Sequence, residues 1–278
     1  MKFGIHTGLW LARWTDDIEP AIRHAAELGY DGVEISLLGM SDDRAAALGQ
    51  VIADHGLEVT CSDGLSPAHD ITSADEEVWN AGVAYLRWAV ETTARLGSRG
   101  LAGVLFAPWG QFDPSQKPER LARSARALAA VSDTLENEGV TLGLEALNRF
   151  ETDLLNTAEE ACTLARAAGS DRVGVLLDTF HLNIEEKDLA QAIAASSDKL
   201  VHFHVSDNDR GVPGSGHVPW DQVQQGLTAA GYEGWITAEM FVVAGNPASA
   251  DLNIWRNIEP DAQRAAAESL AFMKATFA

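Results

Sequence analysis

The sequence alternates short apolar segments with longer segments of helical periodicity, and this alternation constrains the fold more than any other feature. Short buried strands that alternate with helices favour a parallel sheet covered by helices. The predicted strands lie near Lys2–His6, Gly32–Ile35, Leu57–Cys61, Gly100–Leu105, Val140–Glu145, Val173–Leu177, Leu200–Val205 and Gly234–Ala238. The predicted helices lie near Ile18–Leu28, Asp42–Asp54, Ala74–Leu96, Pro118–Asn137, Ala158–Ala168, Asp188–Ala194, Trp220–Ala230 and Asp261–Thr276.

A glycine follows most of the predicted helices, just before the next predicted strand. A helix end commonly needs a residue in the left-handed conformation there. The glycines are Gly29, Gly56, Gly97, Gly139, Gly169 and Gly231. Eight repeats without a linker predict an α/β fold, a single (β/α)8 barrel that spans residues 1–278. An open doubly wound sheet is the alternative, but no glycine-rich phosphate loop follows the first strand.

The net charge of -21 limits the partners of this chain. A negative electrostatic field of this size repels nucleic acid and disfavours binding to anionic membranes. In addition, no apolar run approaches the length of a membrane span. The few lysines disfavour a doubly charged phosphate substrate. Two cysteines, Cys61 and Cys162, form no disulfide framework, and the first strand begins at Lys2, which leaves no room for a signal peptide. We therefore expect a reduced, cytoplasmic protein.

Polar residues stand at the ends of several predicted strands, where a barrel of this kind carries its active site. The sixth strand runs into Asp178, and an acid at the end of a buried strand must be solvated, cap a helix or bind a partner. The fifth strand ends at Glu145, the seventh contains His204, and Glu239 follows the eighth. We expect these four side chains to lie at one level on consecutive strands about 4.8 Å apart.

Three carboxylates and one imidazole suit a hard or borderline divalent cation, Mn²⁺ first, with Co²⁺ or Mg²⁺ as alternatives. Zinc is disfavoured because there is no thiolate and only one histidine. Each residue alone also fits a helix cap or a core histidine, but that explanation must hold at four neighbouring strand ends at once. The sequence therefore predicts one metal site formed by Glu145, Asp178, His204 and Glu239.

Other residues after the same strands allow two interpretations. Trp14 follows the first strand and Trp109 the fourth, where aromatic rings can either stack on the apolar face of a sugar or pack in the core. His202 fits a packed histidine one layer below His204. Arg149 fits an ion pair with nearby acids.

Several motifs resemble the D-tagatose 3-epimerase and D-psicose (allulose) 3-epimerase group, within the xylose-isomerase-like TIM barrels. The resemblance covers essentially the whole chain. It is strongest in Gly143–Glu151 (GLEALNRFE), Leu177–Glu186 (LDTFHLNIEE) and His202–Arg210 (HFHVSDNDR). The tract Pro213–Trp220 and the opening Gly4–Trp14 add to it.

The resemblance implies specific roles for residues that match the family motifs. Glu145, Asp178, His204 and Glu239 would bind the metal, and Glu145 and Glu239 would also form the acid–base pair. Glu151, His181 and Arg210 would hold the C1–C3 oxygens of a ketose. We place His6, Trp14, Trp109 and Phe241 in the same substrate pocket. A homodimer or homotetramer is also implied, because relatives assemble in these ways.

The sequence departs from the family pattern at three places that we expect near the substrate. His6 replaces an aromatic residue, Ser206–Asp207 replaces a Gly–Glu pair, and His217 replaces an arginine. These departures leave the preferred sugar open. The expected reaction is inversion at C3 of a free ketose: one glutamate removes the C3 proton to give an ene-diolate, and the other returns a proton to the opposite face.

Several alternatives stay open. Another sugar isomerase or an inosose dehydratase could use the same scaffold. An endonuclease of abasic DNA shares the barrel but would need more histidine ligands and a basic surface. A non-catalytic sugar-binding barrel would not need both glutamates. A retaining glycosidase would use two carboxylates but would leave Asp178 and His204 without a role.

Overall fold

The strands form a closed parallel barrel in the computed structural model, which describes all 278 residues. Strand order around the barrel follows the chain, and the last strand pairs with the first. The strands are β1 (Lys2–His6), β2 (Gly32–Ser36), β3 (Glu58–Leu65), β4 (Gly100–Pro108), β5 (Thr141–Glu145), β6 (Val173–Asp178), β7 (Leu200–Val205) and β8 (Trp235–Ala238). The predicted α/β fold, a TIM barrel, is confirmed.

Helices follow each strand and cover the outside of the barrel. They are α1 (Glu19–Leu28), α2 (Asp42–Asp54), α3 (Glu76–Arg95), α4 (Lys117–Ala130), α5 (Ser132–Glu138), α6 (Ala158–Ala167), α7 (Thr179–Glu185), α8 (Leu189–Ala195), α9 (Trp220–Ala230), α10 (Pro247–Asp251) and α11 (Ala262–Phe277). Short 3₁₀ turns span Thr7–Trp10, Pro67–His69 and Pro114–Gln116. None of the helices is long and apolar enough to cross a membrane.

The structure corrects some of the predicted boundaries. The helix predicted over Pro118–Asn137 is two helices, because the chain leaves helical geometry at Val131, a buried β-branched residue. Helix α7 begins directly after β6 and was not predicted as a separate helix. All six glycines at predicted helix ends adopt positive φ, between 62° and 87°, as the pattern of the sequence indicated.

The barrel interior is polar near the carboxyl ends of the strands. In β2 the side chain of Glu34 points inward to β7, so Val33 and Ile35 on the alternate face pack towards the helices. Thr60 on β3 donates a hydrogen bond of 2.8 Å to Glu34. The aliphatic core therefore lies between the strands and the helices. The barrel interior near the carboxyl ends of the strands contains charged side chains instead.

Neighbouring strands are staggered in register, as closure of a barrel requires. Asp178 pairs with His204, whereas Glu145 pairs with Leu176, two residues before Asp178. His204 pairs with Thr237, two residues before Glu239. The expectation that the four predicted ligands share one backbone level was therefore wrong, although their side chains do converge.

Candidate active site

A cavity of about 630 Å³ opens at the carboxyl ends of the strands and contains most of the predicted site residues. Asp178 and His181 do not line it and lie buried beneath its floor. The predicted residues that line it are His6, Trp14, Trp109, Glu145, Glu151, His204, Arg210, Glu239 and Phe241. The structure thus gathers residues from β1, β4, β5, β7 and β8 into one place.

Four side chains from consecutive strands converge at the base of this cavity. One ligand atom from each of Glu145, Asp178, His204 and Glu239 lies within 4.8 Å of the others. His204 Nδ1 is 3.6 Å from Glu239 Oε2. The side chains of Glu145 and Glu239 are 9% and 13% exposed, whereas that of Asp178 is fully buried. The two glutamates can therefore touch a molecule in the cavity, and Asp178 cannot without an intermediary.

Two atoms of this cluster fit a cation because nothing in the protein satisfies them. Asp178 Oδ2 and His204 Nδ1 are buried and have no hydrogen-bond partner. The other oxygen of Asp178 accepts a hydrogen bond of 2.8 Å from the backbone N–H of Phe180 and caps α7. Buried polar atoms without partners are costly, and a divalent ion would satisfy both at once. The donor set, three carboxylates and one imidazole, also suits such an ion.

Arg210 balances part of the negative charge. Its Nη1 donates a hydrogen bond of 2.8 Å to Glu239 and lies 3.9 Å from Asp178 Oδ2. Burial alone would raise the pKa of Glu239, but the nearby positive groups His204 and Arg210 hold it well below its usual range. Burial dominates at Asp178 and raises its pKa to about 6. The cluster therefore contains one strongly ionised carboxylate beside one that holds its proton more readily.

A layer beneath the cluster supports His204. Glu34 Oε1 lies 2.7 Å from His204 Nε2, and Glu34 Oε2 lies 2.7 Å from His202 Nε2. Burial would raise the pKa of Glu34, but the two imidazoles outweigh it and lower the pKa well below the usual value. Glu34 was not predicted as a site residue from the sequence. The available signal was an acid that interrupts the apolar second strand.

His181 and Glu151 form the wall between β5 and β6. His181 Nδ1 accepts a hydrogen bond of 3.1 Å from the backbone N–H of Asn148, and its Nε2 lies 3.5 Å from Glu145. Glu151 accepts hydrogen bonds from Asn148, 2.8 Å, and from the indole of Trp109, 2.9 Å. Burial lowers the pKa of His181, but the contact with Glu145 outweighs it and the net shift is upward. Asn148, given no role from the sequence, fixes both side chains.

The loop after β7 places Arg210. Arg210 adopts a left-handed backbone with φ of 63°, which is uncommon for a residue other than glycine. The buried carboxylate of Asp207 holds the loop by accepting from the backbone N–H groups of Asn208, Gly214 and Val218. Neither Asp207 nor the exposed His217 lines the cavity. Neither of these two departures therefore lines the cavity, and Asp207 instead orders the loop.

Three rings form the wall beside β1. His6 lies 6.3 Å from Trp14 and 5.8 Å from Phe241, measured between ring centroids. Burial lowers the pKa of His6, so its imidazole is neutral near pH 7. Trp109, on the opposite wall, lines the same cavity, whereas Arg149 is turned away and pairs with Glu185 at 2.8 Å, as expected.

The closed parallel barrel, with acidic and imidazole side chains at the carboxyl ends of its strands, defines a TIM-barrel enzyme. The family model described as xylose isomerase-like TIM barrel matches residues 22–276. The chain belongs to this family.

Relatives of known function are similar along the full length. The L-ribulose 3-epimerase of Mesorhizobium japonicum is 37% identical, over 98% of this chain and 93% of its own. The D-psicose 3-epimerase of Agrobacterium fabrum is 32% identical, over 99% of this chain and 98% of its own. A crystal structure of a D-psicose 3-epimerase in the presence of D-fructose has a TM-score of 0.94 at 32% identity, with 99% of each chain covered. Since these relatives are epimerases, the chain is an enzyme of the isomerase class.

Proposed function

We propose that this protein is a metal-dependent 3-epimerase of free ketoses. One observation carries the proposal: Glu145, Asp178, His204 and Glu239 converge within 4.8 Å at the floor of a cavity large enough for a sugar. The full-length similarity to ketose 3-epimerases supports the reaction class.

The metal would be held by one oxygen each of Glu145, Asp178 and Glu239 and by Nδ1 of His204. Mn²⁺ suits this set best, with Co²⁺ and Mg²⁺ as alternatives. When bound, the ion supplies a Lewis acid that polarises the carbonyl next to the reacting carbon and so acidifies the C3 proton.

Glu145 and Glu239 are placed to move that proton. They stand on β5 and just after β8, on opposite flanks of the cluster, and both reach the cavity. When the C3–H bond breaks, its electron pair stays on the sugar as an ene-diolate and the proton passes to one glutamate. The other glutamate, which must enter the step protonated, then delivers its proton to C3 on the opposite face, which inverts it. The forward reaction leaves the proton on the glutamate that began as the base, so the two glutamates exchange roles in the reverse reaction.

Glu151 and Arg210 would position the reacting end of the ketose, and the buried His181 would support them from beneath. The Arg210 guanidinium lies 3.1 Å from His181 Nε2 and 3.8 Å from Glu151 Oε1, so the three groups form one polar network. Donors aimed at oxygens that gain charge lower the barrier to proton removal. Trp14, Trp109 and Phe241 provide apolar faces for the carbon chain.

The charges of the cavity favour an unphosphorylated sugar. Arg210 is the only lysine or arginine that lines it, and its guanidinium already pairs with Glu239. A phosphate group would find no free cation there and would add to a net charge of -21.

Incubation with free ketoses in deuterated water tests the proposal. The Mn²⁺-loaded protein should place deuterium at C3 of an epimeric product of unchanged skeleton. Deuterium at C1 or C2 with a shifted carbonyl would indicate an aldose–ketose isomerase. A product that has lost water would indicate a dehydratase. Binding of the sugar without exchange would indicate a non-catalytic barrel. Glu239→Gln should abolish exchange, and Glu233→Gln, an acid outside this cavity, should leave it unchanged.

We also propose that the protein acts as a homodimer or homotetramer in the cytoplasm. Large apolar side chains near the mouth support self-association, since Phe150 and Trp255 are each more than 70% exposed. Light scattering of the purified protein would give the mass of the assembly, and a monomer at micromolar concentration would contradict the proposal.

A further inference from the structure

The side of the cavity formed by β1, β2 and β3 contributes none of the four predicted metal ligands but offers two serine hydroxyls. Ser36 and Ser62 lie on neighbouring strands at the same level and both line the cavity. Each side chain is largely buried, so these hydroxyls are not general surface groups. The metal cluster stands on the opposite half of the barrel, from β5 to β8.

Hydrogen bonds within the protein fix what the serines can offer. The backbone N–H of Gly8 donates to Nδ1 of His6, and a nitrogen that accepts carries no hydrogen, so the ring N–H is on Nε2. That N–H donates to Ser62 Oγ at 2.9 Å. The backbone N–H of Leu38 likewise donates to Ser36 Oγ at 3.3 Å. Both serine oxygens therefore accept from the protein, and neither O–H donates to a protein atom.

Two free O–H donors in a largely buried position suit the oxygen of a ligand hydroxyl. The adjacent Asp63 does not serve here, because its carboxylate accepts from Tyr85 and from the backbone N–H of Gly64. The rings of His6, Trp14 and Phe241 border the same region and give it an apolar wall. One side of this region is thus apolar and the other donates hydrogen bonds.

We propose that Ser36 and Ser62, the latter oriented by His6, form a subsite for the terminal hydroxyl at the end of the ketose remote from its carbonyl. This inference rests on the proposed function, because the cluster on β5–β8 must hold the C1–C3 end. A ketose held there extends the rest of its carbon chain across the cavity towards β1–β3. The protein therefore selects ketoses that carry a hydroxyl at that end.

The test compares D-psicose with its 6-deoxy and 1-deoxy counterparts by C3 deuterium exchange. The wild-type protein should prefer D-psicose to the 6-deoxy sugar by about tenfold in kcat/KM, the size expected for one or two net hydrogen bonds. The double variant Ser36→Ala/Ser62→Ala should remove this preference while keeping activity on the 6-deoxy sugar. The effect of the 1-deoxy change should be the same in both proteins, because that hydroxyl lies at the metal end.

Two further variants separate orientation from packing. Ser66→Ala is the matched control: Ser66 also lines the cavity, but it is exposed and its hydroxyl contacts His69, so the preference should not change. His6→Phe should weaken the preference for D-psicose over the 6-deoxy sugar. When Ser62→Ala is already present, adding His6→Phe should cause no further loss of this preference.

The outcomes distinguish failure of the serine subsite from failure of the proposed function. Equal exchange of D-psicose and its 6-deoxy form by the wild type, or an unchanged preference in the double variant, would overturn the subsite alone. No exchange at C3 with these three sugars or with any other free ketose would overturn the proposed function and the subsite with it.

Discussion

One ring nitrogen of His204 contacts Glu34, and the other faces the proposed metal site. Nε2 lies 2.7 Å from Glu34 Oε1, a close contact between an imidazole and a carboxylate. Nδ1 is left without a partner and faces the cluster. A carboxylate that holds the far nitrogen of a histidine ligand fixes both its tautomer and its orientation. Glu34 therefore acts on the proposed metal through His204.

We expect Glu34→Gln to lower Mn²⁺ affinity by about 10- to 100-fold, the usual effect of losing such a partner. Isothermal titration of the folded variant measures this directly. Glu58→Gln is the control, because it removes an exposed carboxylate from a neighbouring strand. Unchanged affinity in a correctly folded Glu34→Gln protein would show that Glu34 does not support the site.

Metal affinity should also fall in acid. The pKa of Asp178 is raised by burial to about 6, and that of His204, which burial alone would lower, is raised well above its ordinary value by Glu34 and Glu239. A metal ion must displace the protons that these groups hold at low pH. Mn²⁺ affinity should therefore drop by more than about tenfold from pH 7.5 to 5.5. Titrations in buffers of different ionisation enthalpy should show proton release, and a flat profile would argue against this ligand set.

The sequence predicted the residues at strand ends better than those inside strands. Glu145, Asp178 and Glu239 could be found because each ends or follows an apolar run. Glu34 could not be found in this way, since Val33 and Ile35 made its strand look apolar and its partners lie far along the chain. The roles of Ser36 and Ser62 also depend on cross-strand contacts that no local pattern encodes.

At the junction between β6 and α7, Asp178 has both a structural role and a proposed role in metal binding. Asp178 Oδ1 caps α7, and Oδ2 is free to bind a cation. The two interpretations of Asp178 that the sequence left open are therefore compatible.

The stagger between strands could not be predicted from strand boundaries, because it depends on how the barrel closes.

Variants of Asp178 should separate these two tasks. Asp178→Asn keeps an oxygen for the cap but loses the charge, so stability should change little while Mn²⁺ affinity and exchange activity are lost. Asp178→Ala should lose both and cost about a further 1 kcal/mol in the free energy of unfolding. Urea denaturation of the metal-free proteins measures this difference. Equal stability of the two variants would exclude the capping contribution.

The whole molecule carries a net charge of -21 and has a sequence pI near 4.6. Its charge opposes folding through self-repulsion, and salt screens this repulsion. The charge also disfavours anionic partners, in keeping with a neutral sugar as the substrate.

Raising sodium chloride from about 0.01 M to 1 M, which shortens the screening length from roughly 30 Å to 3 Å, should therefore raise the Tm of the metal-free protein. Scanning calorimetry checks this. The gain should shrink as the pH falls towards 4.6, where the net charge vanishes. A Tm that is independent of salt at pH 7.5 would show that local ion pairs outweigh the net charge.

The central claim is that one divalent cation is held by Glu145, Asp178, His204 and Glu239. Anomalous diffraction at the manganese edge, from a crystal of the Mn²⁺-loaded protein, tests it most directly. The claim predicts a single strong peak about 2.1 Å from an oxygen of each carboxylate and from Nδ1 of His204. A peak instead beside Nε2 of His204, between Glu34 and His202, or no peak at full manganese loading, would contradict it.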